Sequence, residues 1–250
     1  MSSVKLPLDV IAARLAGLEE TLIYKLLDRA QFAGNVGAYQ PGQSRFVPAE
    51  PGSLFELRLK LQESVDTQFG RYQIPEERPF HTGLPSSRRV MTVSDTGLTI
   101  TDFDTVNVTG SIRQAYLGLL PALCGDGDDG QWGSGVEHDV ICLQALSRRI
   151  HYGALYVGES KFQENPQRFR ELVEARDDET ITRMIVRVEV EQRVLARVKA
   201  KVEAVQSVSD PVLRRLVDPE TIVAFFRGTI IPLTKEGEIR YLYQRAGARS

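Results

Sequence analysis

Apolar residues recur every three or four positions along most of this chain, and that spacing restricts it to packed helices. Over residues 8–32, Ile11, Leu15, Leu18, Leu22, Ile23, Leu26 and Leu27 fall on one stripe, and Gly34-Asn35 supplies a stop. A second helix is predicted over 54–69, where Ser53 as N-cap and Glu56 three residues on form a capping box. Longer helices follow over 138–162 and 178–205, the latter with Val186, Val190, Val194, Leu195, Val198 and Val202 on its inner face. Shorter ones are expected over 112–123, 165–174, 218–227 and 235–245. The exception is 90–103, where VMTV, SDTG and LTIT alternate as a small β-hairpin would. The expected fold is all-α, a single domain over 1–250 with about eight to ten helices.

Composition narrows the function. The 250 residues are 42% apolar, enough to fill a sizeable core. The 31 Lys+Arg are interspersed among 33 Asp+Glu for a net charge of -2, so no basic face points to nucleic acid and no polybasic tract to a membrane. Any anion must therefore be met locally. Cys124 and Cys142 stand apart beside apolar residues, which suits reduced thiols rather than a zinc site or a disulfide framework. His81 and His138 have no metal-ligand spacing, and no metal is expected. The stretch CGDGDDGQWGSG, 124–135, resembles a calcium loop only superficially, because the bidentate glutamate's place falls on Glu137 with the wrong intervening pattern. It reads as a solvated turn with Trp132 as a local packing anchor. The start, MSSVKLPLDVIAARL, lacks the features of a signal peptide, and no window approaches a membrane span, so the cytoplasm is expected.

One stretch breaks the pattern chemically. SRRIHYGALYVGESKFQ, 147–163, sets Arg148, Arg149 and Lys161 into an otherwise buried helix. An unpaired buried cation costs several kcal/mol, whereas one facing an anionic ligand is stabilised by it. The plainer alternative is that these cations face solvent or pair with Glu159 and Glu191. Arg187 and Glu191 are four residues apart on one helix face, as are Thr234 and Glu238. With the cations they suit a cleft between helices that holds a small dianion and accepts hydrogen bonds from its hydroxyls. His151 is read as a packed helix residue rather than a base.

LQALSRRIHYG followed by ESKFQ resembles the signature of the all-helical AroQ-type chorismate mutases of the fungal and plant kind. The likeness covers most of the chain: LEETLIYKLLDRAQF, GDGDDGQWGS, VEQRVLARVKAKVE and IIPLTKEGEIRYL occur in the family's order and spacing, while 83–105 matches poorly. The resemblance implies a homodimeric enzyme that rearranges chorismate to prephenate on the way to phenylalanine and tyrosine, with neither metal nor coenzyme. By similarity, Arg149 clamps the side-chain carboxylate and Lys161 donates to the ether oxygen. Glu238, in its protonated form, makes a second hydrogen bond there. Glu191 accepts from the ring hydroxyl, Thr234 fixes the same end, and Arg148 is a further candidate for contact with the substrate.

The chain departs from that family in three ways. The first-helix arginine expected for the ring carboxylate is Ala12 here, with Arg14 about 200° around the helix, and Arg187 is a candidate replacement from the opposite wall. Arg149 and Lys161 are twelve residues apart rather than eleven, which adds about 100°. A single π-bulge between Ile150 and Glu159, eased by Gly153 or Gly158, would restore their common face. The family's effector site keeps Gly133, Ser134 and Arg71 but has Glu137 and Gly70 where a threonine and an arginine are expected. Weak or absent control by tyrosine and tryptophan follows. Two rival functions are an inactive or weakened mutase fold acting as a binding protein, and an enzyme acting differently on chorismate.

Overall fold

The computed structural model describes residues 7–92, 95–100 and 102–247. Among them are ten α-helices and no strand: α1 (Leu8–Arg29), α2 (Leu54–Gln68), α3 (Thr109–Leu123), α4 (Trp132–Tyr152), α5 (Gly158–Glu164), α6 (Pro166–Glu174), α7 (Asp178–Ile185), α8 (Val188–Gln206), α9 (Pro219–Phe225) and α10 (Ile231–Gly247). Two π turns, Gly153–Val157 and Phe226–Ile230, join α4 to α5 and α9 to α10 without interrupting either rod.

The predicted apolar stripes form the core. Leu22, Ile23 and Leu26 of α1 meet Leu143, Leu146 and Ile150 of α4, with Val198 and Val202 of α8 and Ile222 of α9 closing the cluster. A second cluster gathers Phe162, Phe169, Ile181, Ile185 and Leu242. Ser53 caps α2 as predicted, its Oγ accepting from the Glu56 amide at 3.1 Å. Gly70 ends that helix in the left-handed region at φ 85°, where an arginine would be strained.

Four sequence expectations need correction. The expected hairpin falls partly on Val93, Ser94 and Thr101, which lie outside the described residues; the described residues of 90–103 form no strand. The side chains of Asp95 and Thr96 accept from the amides of Gly97 and Leu98, and Ile100 packs with Val106, Ala154 and Tyr241 rather than against a strand. Helix α4 begins at Trp132, six residues before the predicted start at 138, because Gly133 and Gly135 disguise its first turn. The predicted helix over 178–205 is two helices, broken where Val186 turns extended (ψ 132°) and Arg187 caps α8. Val190, expected inside, is exposed in the first turn of α8. Finally, α10 begins at Ile231 rather than 235.

The acidic loop is a staple. Asp129 accepts from the Ala33 amide (2.8 Å) and the Asn35 side chain (2.9 Å), tying the end of α1 to the start of α4. Trp132 Nε1 donates to Asp128, as an anchored aromatic should. Further in, fully buried Arg29 of α1 and Asp139 of α4 form an ion pair at 2.5 Å. Asp139 also accepts from the hydroxyls of Tyr39 and Tyr116, each at 2.7 Å, and Arg29 donates to the carbonyls of Phe32 and Ala33. Breaking such a pair from one side strands the other charge in the core. Asp139→Ala is therefore expected to lower unfolding stability by about 3–5 kcal/mol, read as a shift of the urea midpoint.

Candidate active site

Arg149 lies in the last turn of α4 with 6% of its surface exposed. Its Nε and Nη1 have no hydrogen-bond partner among the described residues. Burial lowers its pKa to about 10, against the attraction of Glu19; Arg197 adds to the lowering and Glu238 opposes it. The guanidinium is still charged at neutral pH, held in the protein with two N–H groups unsatisfied. That is the cost a bound anion would remove.

The π turn follows at once. An α-helical run of twelve residues would rotate Lys161 about 120° from Arg149, and the wider turn at Gly153–Val157 absorbs the extra residue where the spacing predicts it. Lys161, in α5, then donates through Nζ to Glu238 Oε2 at 2.9 Å and to the Ile185 carbonyl at 2.7 Å. That carbonyl is one left over where α7 ends, so the break in the predicted fourth helix also seats the lysine.

Glu238 of α10 is buried, and burial pushes its pKa above the usual 4.5, against the pull of Lys161, Lys235 and Arg149. Thr234, one turn earlier, bonds back to the Ile230 carbonyl at 2.7 Å and rests its methyl on Gly153. A Cβ at Gly153 would sit 2.6 Å from that methyl and 3.3 Å from Arg149 Nη1. Gly153 has ordinary helical angles (φ -59°, ψ -51°), so space rather than backbone freedom is what requires glycine here.

The structure thus brings Arg149, Lys161, Thr234 and Glu238 together. Glu191 pairs with Lys235 at 2.7 Å rather than with the signature cations, and Glu159 with Arg245 at 2.9 Å. Arg187 is exposed and shares a cleft of about 260 Å³ with Lys161, Glu164, Phe169 and Arg183. Lys161 is common to this cleft and the buried group. Arg148 is not brought in: it reaches instead toward Glu76 and Glu77, at 3.7 and 3.4 Å. Ala12 and Arg14 are exposed, and the charge of Arg14 is felt by Tyr152 and Tyr156. His151 accepts from the Val108 amide and faces the Ser147 carbonyl, and burial lowers its pKa to about 4, consistent with a packed neutral ring. Arg71 is tied to Glu77, Asp66 and Gln144, while Gly133 and Ser134 lie exposed in the first turn of α4.

Sequence reasoning missed the network behind Arg149. Fully buried Glu19 accepts from Arg197 at 2.8 and 2.9 Å and lies 3.3 Å from Lys201. The signal was there: Glu19 falls on the apolar stripe of α1, four residues from both Leu15 and Ile23.

An all-helical bundle that buries an unsatisfied arginine beside a lysine and a carboxyl with raised pKa is built to handle a small anion. Comparisons agree. No family model matches the chain, but individual relatives do. The chorismate mutase of Emericella nidulans is 36% identical over 259 residues, spanning 98% of this chain and 94% of that protein. The chloroplastic chorismate mutase 1 of Zea mays is 34% identical over 249 residues, 96% and 79% of the two. Among solved structures, Aro7p chorismate mutase from Candida albicans in complex with L-Trp superposes with a TM-score of 0.90 at 32% identity, covering 98% of this chain and 94% of that one. The chloroplast chorismate mutase of Zea mays gives 0.86 at 34% identity, covering 100% and 99%. The chain belongs to the chorismate mutase family.

Proposed function

We propose that this enzyme rearranges chorismate to prephenate, supplying phenylalanine and tyrosine synthesis. The observation that carries the reading is the contact of Lys161 with Glu238 beside the unsatisfied guanidinium of Arg149. In the rearrangement the ether C–O bond breaks as a C–C bond forms between the enolpyruvyl arm and the ring, within one molecule and with no atom gained or lost. Binding must fold a flexible dianion into a chair-like shape, which is orientation. Arg149 holds the side-chain carboxylate through its free N–H groups. As the C–O bond breaks, negative charge grows on the ether oxygen. Lys161 and protonated Glu238 donate to it, favouring the transition state over the bound substrate. Glu191, positioned by Lys235, accepts from the ring hydroxyl, and Thr234 steadies the same end.

A mutase-shaped binding protein without chemistry would have no need to bury Glu238 against Lys161 beside an unsatisfied Arg149. Product identification after incubating purified protein with chorismate tests this rival and a different conversion together: prephenate alone supports the assignment, no product or another product overturns it.

The chain acts as one domain, a reading supported by a core to which α1, α4, α8 and α9 all contribute. It pairs with a second copy, for which the exposed stripe of Leu61, Val65 and Phe69 along the second helix and the residue after it offers an apolar face. Its buried free cysteines suit the reducing cytoplasm, and no helix among the described residues is long and apolar enough to cross a membrane. The Candida albicans relative is a complex with L-Trp. Here Gly133, Ser134 and Arg71 would form the corresponding site, but exposed Glu137 stands next to it and Arg71 is already occupied, which supports weak effector control.

Three outcomes are expected. Glu238 is active when protonated, so kcat should be highest below its raised pKa and fall as pH rises through it; Glu238→Gln, always a donor, should flatten that fall in a pH–rate profile. Arg187→Ala should weaken binding of chorismate or a transition-state analogue about two- to fivefold, measured by calorimetry. Tyrosine or tryptophan at millimolar concentration should change the rate less than twofold in a chorismate-consumption assay.

A further inference from the structure

Arg183 was not among the candidate site residues, yet it lines the same cleft as Lys161 and Arg187. Three cations share that lining with one acid, Glu164. Of the three, Lys161 is committed to Glu238 and the Ile185 carbonyl. Among the described residues, Arg183 makes one hydrogen bond, from Nη2 to Thr180 Oγ1 within its own helix, at 2.8 Å. Neither Arg183 nor Arg187 has an ion pair among the described residues. Asp177, whose carboxylate feels Arg183, is engaged in capping α7 through the Thr180 amide. Both arginines are exposed.

Their placement is fixed by the same break that seats the lysine. Arg183 and Arg187 flank Ile185, two residues to either side, and the Ile185 carbonyl is bonded to Lys161 Nζ. The segment that carries both arginines to the cleft is thus tied to a residue of the buried group, with one arginine two positions before the tie and one two positions after it. Exposed charges act over roughly 8 Å at physiological salt and fade as salt rises. A positively lined cleft raises the local concentration of an anion and its rate of entry.

From this arrangement, we infer that Arg183 is a specificity-determining residue that, with Arg187, admits and pre-orients dicarboxylates in preference to monocarboxylates. The inference rests on the chorismate-rearranging function proposed above. It differs from the role of Arg149, since Arg183 acts on entry and binding and leaves the breaking bond alone.

The test uses the full chain with Arg183→Ala and Arg183→Glu, assayed with chorismate across a range of ionic strength. Arg183→Ala should raise KM roughly two- to fivefold with kcat unchanged, Arg183→Glu should raise it further, and both should flatten the fall of kcat/KM with salt. Wild-type KM and salt dependence in both variants would overturn the inference, as would a loss confined to kcat. Arg183→Gln, keeping length and polarity without charge, replaces either variant that does not fold. Binding of a bicyclic dicarboxylate analogue of the chair-like transition state, measured by calorimetry beside a monocarboxylate of the same ring, separates the two ideas. If the wild type converts no chorismate, the functional assignment fails, while the inference still stands or falls on whether Arg183→Ala loses affinity for the dicarboxylate selectively.

Discussion

The angular register between Arg149 and Lys161 is the constraint on which the site depends. These residues lie in one nearly continuous rod, twelve positions apart, and only the wide turn at Gly153–Val157 returns them to a common face. That turn does more than rotate a lysine. It brings Gly153 under the Thr234 methyl, Ala154 against Gly237 and Gly158 against the Tyr241 ring, so α10 approaches closely enough for Glu238 to reach Lys161. Missing Cβ atoms set the spacing between the two walls.

Charge is handled in two different ways in this molecule. Arg29 and Asp139 are buried against Tyr116 and half-buried Tyr39, so that each charge finds partners inside the fold. Arg149 is buried with Nε and Nη1 left over, its charge balanced at a distance by Glu19 and Glu238. The first arrangement holds helices together; the second keeps donors available. Glu19 is itself restrained by Arg197 and Lys201, so the carboxylate that sustains the Arg149 charge does not collapse onto it.

Much of this was legible from residue spacing. The stripe from Ile11 to Leu27 and the N-cap at Ser53 matched α1 and α2, and one residue more between Arg149 and Lys161 than the resembled family has pointed to a π turn where one is found. What escaped had physical causes. Glycines in the first turn of α4 hid its start, because propensity and periodicity both fail where there is no side chain to read. The break before α8 left no plain mark in the sequence, since its support is tertiary: Lys161 bonds the Ile185 carbonyl, and Ile185 packs in the second core cluster. The alternation in 90–103 suited a strand, but among its described residues Ile100 packs on Tyr241 of α10 and on Ala154, while Val90 is exposed. Arg148 and Arg149 are adjacent in sequence and about 100° apart on the helix, which is why one turns toward Glu76 and Glu77 and the other into the site.

The unsatisfied guanidinium of Arg149 couples affinity to foldedness. A ligand that hydrogen-bonds to it relieves a strain present only in the native state, since the unfolded chain hydrates the same group fully. Occupancy should therefore harden the whole bundle against heat, by an amount that rises with the logarithm of ligand concentration above its Kd, whether or not the bound anion reacts.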